Sequence, residues 1–226
     1  MPFILYLEVC GEVRHSIDEY FRETRAKLGA TEAHQYHPHC SITGFFEWPL
    51  EEKEKLVEMF VDCFNSTKRD EKPVLGELSH CLTAVSNPLL AKNTPNGDPI
   101  RTVRISISCP KWIFSFASSF KLKAESKSVV RIKPIDHISL AYIMSYPVVS
   151  VLGDIVVCKT KKTQSCLDAQ QATPVFRFES SKYYNEAQKL INLNAGKSWD
   201  IVLYEKEDSG ILSVPHKLTE LYRIPL

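Results

Sequence analysis

Two copies of a His-x-Ser motif constrain the fold of this chain more than any other feature of its sequence. They are His39-Cys40-Ser41 and His137-Ile138-Ser139, and their residue numbers differ by 98. The same offset superimposes the secondary structure that hydrophobic periodicity predicts before each motif. The matched elements are strands 4–9 and 102–107 and helices 16–28 and 114–126. The order strand, helix, linker and His-x-Ser strand therefore occurs twice without an insertion, which indicates an internal repeat.

The remaining segments mix helices and strands, so we predict an α+β fold. We expect Ser16 to cap the first helix and Gly29 to end it. Amphipathic periodicity predicts further helices over 51–65, 111–126 and 180–195. Further strands are predicted over 37–46, 74–85, 136–144, 148–159 and 198–206. Two polar segments, 86–99 and 160–174, are predicted loops, and the tail from Ser213 has no assignable pattern.

The residue types of the two motifs point to chemistry at phosphorus. Side chains alternate along a strand, so the histidine and the serine of each motif point to the same face. If the two repeated units face each other, two imidazoles and two hydroxyls meet. One neutral imidazole can then remove a proton from water while a protonated one donates a proton to the leaving oxygen. The hydroxyls can donate hydrogen bonds to the charge that builds on phosphate oxygens, and the reaction requires no metal or other cofactor.

With these motifs the sequence resembles the 2H phosphoesterases, a superfamily named for two H-x-[S/T]-hydrophobic motifs. Pro38, directly before the first motif, is also common in that group. The resemblance implies one bilobal domain over 1–226, with two pseudo-symmetric antiparallel sheet lobes and outer helices around a central groove. Its half-units would be about 3–46 and 101–144. The resemblance also implies a catalytic pair, His39 and His137, and two phosphate-binding residues, Ser41 and Ser139.

Members of that superfamily include RNA 2′,3′-cyclic phosphodiesterases, 2′-5′ RNA ligase-like proteins, an RNA-trimming exonuclease and 2′-5′ oligoadenylate phosphodiesterases. We therefore expect a metal-independent hydrolase that opens 2′,3′-cyclic phosphates of RNA ends or nucleotides. One alternative is cleavage of linear 2′-5′ or 3′-5′ linkages at the same site, including exonucleolytic trimming. Another is a non-catalytic module that binds nucleotides or RNA ends. The paired histidines argue against that module, because binding alone needs no second histidine at matched register.

Two residues continue the row of the first motif and are candidates for substrate binding. Phe45 can stack on a base, since aromatic rings bind bases without strict sequence choice, but core packing is the simpler interpretation. Thr43 can contact phosphate, and an ordinary strand threonine is an equally good interpretation.

Two further candidates, Tyr6 and Arg104, are equivalent to each other under the offset of 98. Arg104 can contact phosphate, or it can face solvent or pair elsewhere. Tyr142 has the opposite strand parity to His137, so we expect it in the core or on the far face of the strand.

Two other groups of residues near the motifs allow a functional and a structural interpretation. His34 and His37 precede His39 at a spacing that suggests metal ligands, but Pro38 and the lack of nearby carboxylates argue against a metal. A basic stretch before the second motif can guide an RNA end, although most such runs are solvated faces. Its members are Lys121, Lys123, Lys127, Arg131 and Lys133.

Composition narrows the class of partner. The chain of 226 residues carries 28 Lys and Arg against 27 Asp and Glu, whereas proteins that hold long nucleic acids by the backbone are usually more basic. We therefore expect a local contact with an RNA end or a small nucleotide. The seven cysteines form no C-x-x-C pair, and we expect neither a signal peptide nor a transmembrane helix. We expect a monomeric cytoplasmic or nuclear protein with reduced thiols and no membrane contact.

Overall fold

The computed structural model is an α+β fold, and it describes residues 2–83, 100–142, 148–152, 155–159, 175–207 and 216–226. The α-helices in these ranges are α1 (Glu12–Leu28), α2 (Lys53–Asn65), α3 (Lys111–Ala124) and α4 (Ser180–Leu190). The strands are β1 (Pro2–Gly11), β2 (Cys40–Ser41), β3 (Phe46–Glu47), β4 (Val74–Thr83), β5 (Ile100–Ser108), β6 (His137–Ala141), β7 (Val148–Leu152), β8 (Ile155–Lys159), β9 (Val175–Glu179), β10 (Lys197–Glu207) and β11 (Lys217–Pro225). None of these helices is long and apolar enough to cross a membrane.

The first sheet places β1 between β10 and β2, in the antiparallel order β11-β10-β1-β2, and β3 also pairs with β1. Odd-numbered side chains of β1, from Phe3 to Val9, lie in the main core, which the helices share. Even-numbered side chains face the other way, where Ile4 and Tyr6 form a smaller apolar cluster with Val202 and Tyr204 of β10. Because both faces of β1 are buried, its sequence is an uninterrupted apolar run instead of an alternating one.

The second sheet has the antiparallel order β4-β5-β6 and repeats the strand pairing of the first. In the first sheet Tyr6 is opposite Ser41, and in the second Arg104 is opposite Ser139. The neighbouring pairs, Leu7 with Cys40 and Ile105 with Ile138, also differ by 98 in both members. The serine of each motif therefore occupies the same position opposite the first strand of its own unit.

Main-chain hydrogen bonds join the first two sheets beside the motifs. Residues 42–44 run against residues 131–133, where the Gly44 N–H donates to the Arg131 carbonyl (2.7 Å) and the Lys133 N–H to the Ile42 carbonyl (3.0 Å). The Glu32 N–H donates to the Tyr142 carbonyl at 3.2 Å. Strand β2 consequently contacts β6, so that the two motifs come from neighbouring strands of different sheets.

The helices pack in two pairs, α1 with α4 and α2 with α3. The start of α1 requires glycine at position 11, where φ is +83° and an added Cβ would lie 2.7 Å from the Gly196 carbonyl oxygen. That oxygen accepts hydrogen bonds from the first two N–H groups of α1, those of Glu12 (2.9 Å) and Val13 (3.3 Å). The turn before β10 therefore supplies the cap of α1, and the predicted cap residue Ser16 lies inside the helix.

Most predicted elements are confirmed within a few residues, including the end of α1 at Gly29. Three differ in kind. The strand predicted over 148–159 is two antiparallel strands of a third sheet, β7-β8-β9. The strand predicted over 37–46 is reduced to the short β2 and β3, and the unassigned tail contains β11. The predicted loops 86–99 and 160–174 lie outside the described residues.

Candidate active site

The first motif holds its histidine through contacts to both ring nitrogens. His39 Nδ1 lies 2.6 Å from the His37 carbonyl oxygen, to which it donates, so Nε2 is left as the acceptor. Ser41 Oγ lies 3.2 Å from this Nε2 and can donate to it. The Tyr6 ring stacks on the imidazole with 3.6 Å between the ring centroids. His39 itself precedes β2, so its position depends on these contacts and not on a strand pairing, contrary to the predicted strand.

The surroundings keep His39 neutral at pH 7. Burial of the ring is the main cause that lowers the pKa of His39 from 6.5 to about 4. The His37 carbonyl partly opposes this shift, and the Coulombic effects of His37, Arg14 and His137 add to it. A neutral ring whose Nδ1 carries the hydrogen can accept a proton at Nε2.

A buried charge network supports the segment that orients His39. The Glu8 carboxylate is only 2% exposed and accepts hydrogen bonds from the Tyr204 hydroxyl (2.9 Å) and the Arg223 guanidinium (3.2 Å). Arg14 approaches the same carboxylate at 3.6 Å and also lies 3.3 Å from His37 Nδ1. Because the His37 carbonyl holds the His39 ring, this network connects the even-numbered face of β1 to the first motif.

The second motif has a carboxylate partner that the sequence interpretation did not identify. His137 Nδ1 lies 2.6 Å from Asp136 Oδ1, which leaves Nε2 free of that contact. The Asp136 carbonyl in turn accepts a hydrogen bond from the Ile107 N–H at 2.8 Å. The preceding Ile135 has φ of +54°, a strained conformation for a β-branched residue. An acidic residue directly before the histidine was the available sequence signal, because a carboxylate commonly orients an imidazole.

The structure brings the two motifs together through Cys40. The His137 backbone N–H forms a hydrogen bond to the buried Cys40 thiol, whose pKa is raised mainly by burial. His137 is also close enough to His39 for its charge to lower the pKa of the His39 ring. Residues 39–41 and 136–139 therefore form one cluster, which we call the paired-histidine site.

Arg104 lies on the strand that flanks the second motif. It is opposite Ser139 on one side and Ser79 on the other. Its Nε is buried and has no hydrogen-bond partner among the described residues. A buried guanidinium N–H without an acceptor is costly, so an anionic ligand at this position would satisfy it. Tyr6, its equivalent in the first sheet, is buried and stacked on His39.

The two candidates after the first motif have different surroundings. Thr43 is fully buried, and its Oγ1 accepts a hydrogen bond from the Leu5 N–H at 3.1 Å. This favours the structural interpretation of Thr43 over a phosphate contact. Phe45 is 40% exposed, lies 6.5 Å from the Tyr36 ring and has the Lys206 ammonium 4.5 Å from its ring centroid. The core packing that we preferred for Phe45 is therefore wrong.

The expected position of Tyr142 also needs correction. Val103 pairs with Ala141 while Arg104 pairs with Ser139, so an irregularity at Leu140 shifts the register by one residue. Leu140 and Ala141 are both buried, and the alternation that places Tyr142 opposite the second motif is broken. The Tyr142 hydroxyl instead lies near Tyr6, where its charge contributes to the raised pKa of Tyr6 after burial, the main cause.

His34 is engaged structurally on both ring nitrogens, which removes it from the metal-ligand pattern. Its Nδ1 accepts from the Thr31 N–H at 2.9 Å, and its Nε2 contacts the Thr24 hydroxyl at 3.0 Å. His37 has its Nδ1 beside Arg14, 3.3 Å away. A cation is a poor neighbour for a metal ion, so these residues do not fit a metal site.

The basic stretch begins in the last turn of α3 and continues through the segment before β6, and local contacts hold part of it. Lys127 forms an ion pair with Glu52 and lies over the Trp48 ring, with 5.5 Å from its ammonium to the ring centroid. Lys133 is half-buried, and burial, followed by the charge of Arg131, lowers its pKa. Guidance of an RNA end by this stretch stays a prediction.

No protein-family model matches the chain, and no curated protein is similar enough to count as a relative. The resemblance to the 2H phosphoesterases therefore rests on the two motifs.

Proposed function

We propose that this protein is a metal-independent phosphodiesterase of the 2H type, which hydrolyses 2′,3′-cyclic phosphates of RNA ends or nucleotides. The observation that carries the proposal is the repeated pairing register, which gives two His-x-Ser motifs equivalent positions in neighbouring strands. Two unrelated motifs have no reason to share that register. The proposal includes the bilobal arrangement, with the first and second sheets as the two lobes and the paired-histidine site between them.

In the proposed reaction His39 is the general base. Its ring is neutral at neutral pH, and its Nε2 can take a proton from the water that attacks phosphorus. His137, protonated at Nε2 and held at Nδ1 by Asp136, donates a proton to the ribose oxygen as the bond from phosphorus to that oxygen breaks. The water oxygen remains on phosphorus as part of the phosphomonoester product.

Phosphate stabilisation in this reaction is assigned to three side chains. Ser139 donates a hydrogen bond to a non-bridging oxygen as negative charge builds there, and Ser41 does so when its hydroxyl turns from His39 Nε2 to the substrate. Arg104, opposite Ser139, offers its unpaired Nε and a permanent positive charge. Partly buried donors of this kind contribute more than fully exposed ones, because the site has a lower dielectric constant than water.

The direct test uses the purified protein and a short RNA that ends in a 2′,3′-cyclic phosphate, with EDTA present. We expect conversion to a phosphomonoester, and a loss of about 10²–10⁴ in kcat/KM for His39→Ala and for His137→Ala. His15→Ala, which changes an exposed histidine of α1, is the matched control and keeps full activity. If the double variant His39→Ala, His137→Ala is as active as the wild type, the assignment fails.

The pH profile tests the assigned roles. Since the pKa of His39 is about 4 in the free protein, kcat/KM should persist well below pH 6 and fall only as the pH approaches 4. Asp136→Asn keeps a hydrogen-bond acceptor beside His137 but removes the charge, so it should lower kcat more than it raises KM. A panel of linear 2′-5′ and 3′-5′ dinucleotides separates cyclic-phosphate hydrolysis from linear cleavage.

A further inference from the structure

An aromatic surface with a cation lies next to the paired-histidine site and has no role in the proposed acid–base chemistry. It consists of Tyr36, Phe45 and Lys206, and we call it the stacking surface. Tyr36 connects it to the site, because its ring meets the His39 ring edge-on with 5.7 Å between centroids. Its ring also lies 6.5 Å from that of Phe45. The Tyr36 ring therefore lies between the His39 ring and the rest of the stacking surface.

The exposure of Phe45 is unusual for its position in the chain. It stands between two residues of the packed interior, Gly44, which hydrogen-bonds to Arg131, and Phe46, which is 3% exposed. Phe45 nonetheless remains 40% exposed. An exposed aromatic face beside a polar site is a good platform for a base, since every base offers a π-face to stack on.

Lys206 adds a positive charge to the same surface. Its ammonium lies 4.5 Å from the Phe45 ring centroid and 5.8 Å from that of Tyr36. Lys206 comes from β10, whereas Phe45 lies between β2 and β3, so the tertiary fold brings the two together. The Lys206 ammonium lies over one face of the Phe45 ring, so a ligand that stacks on the opposite face has this cation across the ring.

We propose that the stacking surface selects substrates in which the nucleotide with the reacting phosphate also has a phosphate on its 5′ oxygen. This inference rests on the proposed function and specifies its substrate class. The base of that nucleotide stacks on Phe45 while its cyclic phosphate lies at His39, and Lys206 binds the 5′-phosphate. An RNA 3′ end satisfies all three contacts, whereas a free nucleoside 2′,3′-cyclic phosphate lacks the third.

The kinetic test compares uridine 2′,3′-cyclic phosphate with the same compound carrying a 5′-phosphate. We expect the 5′-phosphate to raise kcat/KM about tenfold, as for a hydrogen bond to a charged group, and Lys206→Met to abolish most of that preference. Phe45→Ala should raise KM about tenfold for both compounds, whereas Phe45→Trp should keep KM close to the wild-type value. The matched controls are Lys68→Met and Phe114→Ala, an exposed lysine after α2 and a phenylalanine of α3 that is 38% exposed.

A binding measurement keeps this inference separate from the proposed function. Calorimetry with uridine 3′-monophosphate and uridine 3′,5′-bisphosphate should show tighter binding of the bisphosphate, and Lys206→Met should remove the difference. Absence of turnover with Lys206-dependent bisphosphate binding would contradict the proposed hydrolase and support the stacking surface. Equal affinity for the two ligands, or a preference that Lys206→Met leaves intact, would overturn the inference whatever the activity.

Discussion

Acid should destabilise this protein through His34, and the size of the effect follows from its contacts. Thr24 Oγ1 donates to the Tyr20 carbonyl at 2.7 Å, so it can only accept from His34 Nε2. His34 Nδ1 must then be the unprotonated nitrogen that accepts the Thr31 N–H. Protonation breaks this bond in a buried site next to Arg25. Burial and, after it, Arg25 accordingly lower the pKa of His34 from 6.5 to about 4.

The sign of the effect follows from proton uptake by the unfolded chain. Above pH 6.5 the ring is neutral in both states, and His34 adds no pH dependence. Between pH 6.5 and 4 the unfolded state binds a proton that the folded state does not, so the free energy of unfolding falls as the pH falls. Below pH 4 both states are protonated and the loss is complete. At pH 5 the loss relative to pH 7 is on the order of 2 kcal/mol.

Urea unfolding at pH 7, 6 and 5 measures this contribution by comparing the wild type with His34→Gln. The variant is less stable at pH 7 because it loses native contacts, but it lacks the titrating group. We expect its free energy of unfolding to fall by about 2 kcal/mol less than that of the wild type between pH 7 and 5. His15→Gln, at an exposed position, should keep the wild-type slope. Equal slopes for the wild type and His34→Gln would refute the reasoning.

Two predictions concern buried polar groups near the site. Thr43→Val leaves the buried Leu5 N–H without its acceptor and should cost about 1–3 kcal/mol in urea unfolding, with KM unchanged. Exposed Thr219→Val is the control, and a raised KM at unaltered stability would instead identify Thr43 as a phosphate ligand. Glu8→Ala removes a carboxylate that is 2% exposed from between cationic groups and should cost about 3–5 kcal/mol. A loss no larger than that of exposed Glu58→Ala would show that the Glu8 network contributes little.

Local pattern was sufficient for most of the fold. The apolar run of β1 follows from burial of both of its faces, and the alternation of β5 follows from burial of one face. Helix periodicity located α1 to α4 within a few residues. The failures have local causes that periodicity cannot report. Strand prediction over 37–46 assumed continuous pairing, whereas only residues 40–41 and 46–47 pair as strands.

The candidate site was predictable in its histidines and serines but not in their partners. The same order of predicted elements occurs twice, and it places the two motifs at matched positions. The order can be recognised although the residues of the two units hardly match. Asp136 was missed although it adjoins His137, because a neighbour in sequence orients a ring only if the backbone turns its side chain toward that ring. Here Ile135, with φ of +54°, immediately precedes it.

What the sequence determined by itself is the repeated unit and the residue types of its two motifs, because strand and helix periodicity are local properties of the chain. Only the tertiary structure decided that Thr43 is buried against Leu5, that a register shift at Leu140 brings Tyr142 near Tyr6, and that Lys206 lies over Phe45. Each of these depends on contacts between residues far apart in the chain. Strand parity predicts on which face of a strand a side chain lies. Packing and main-chain hydrogen bonding decide which residues that side chain contacts.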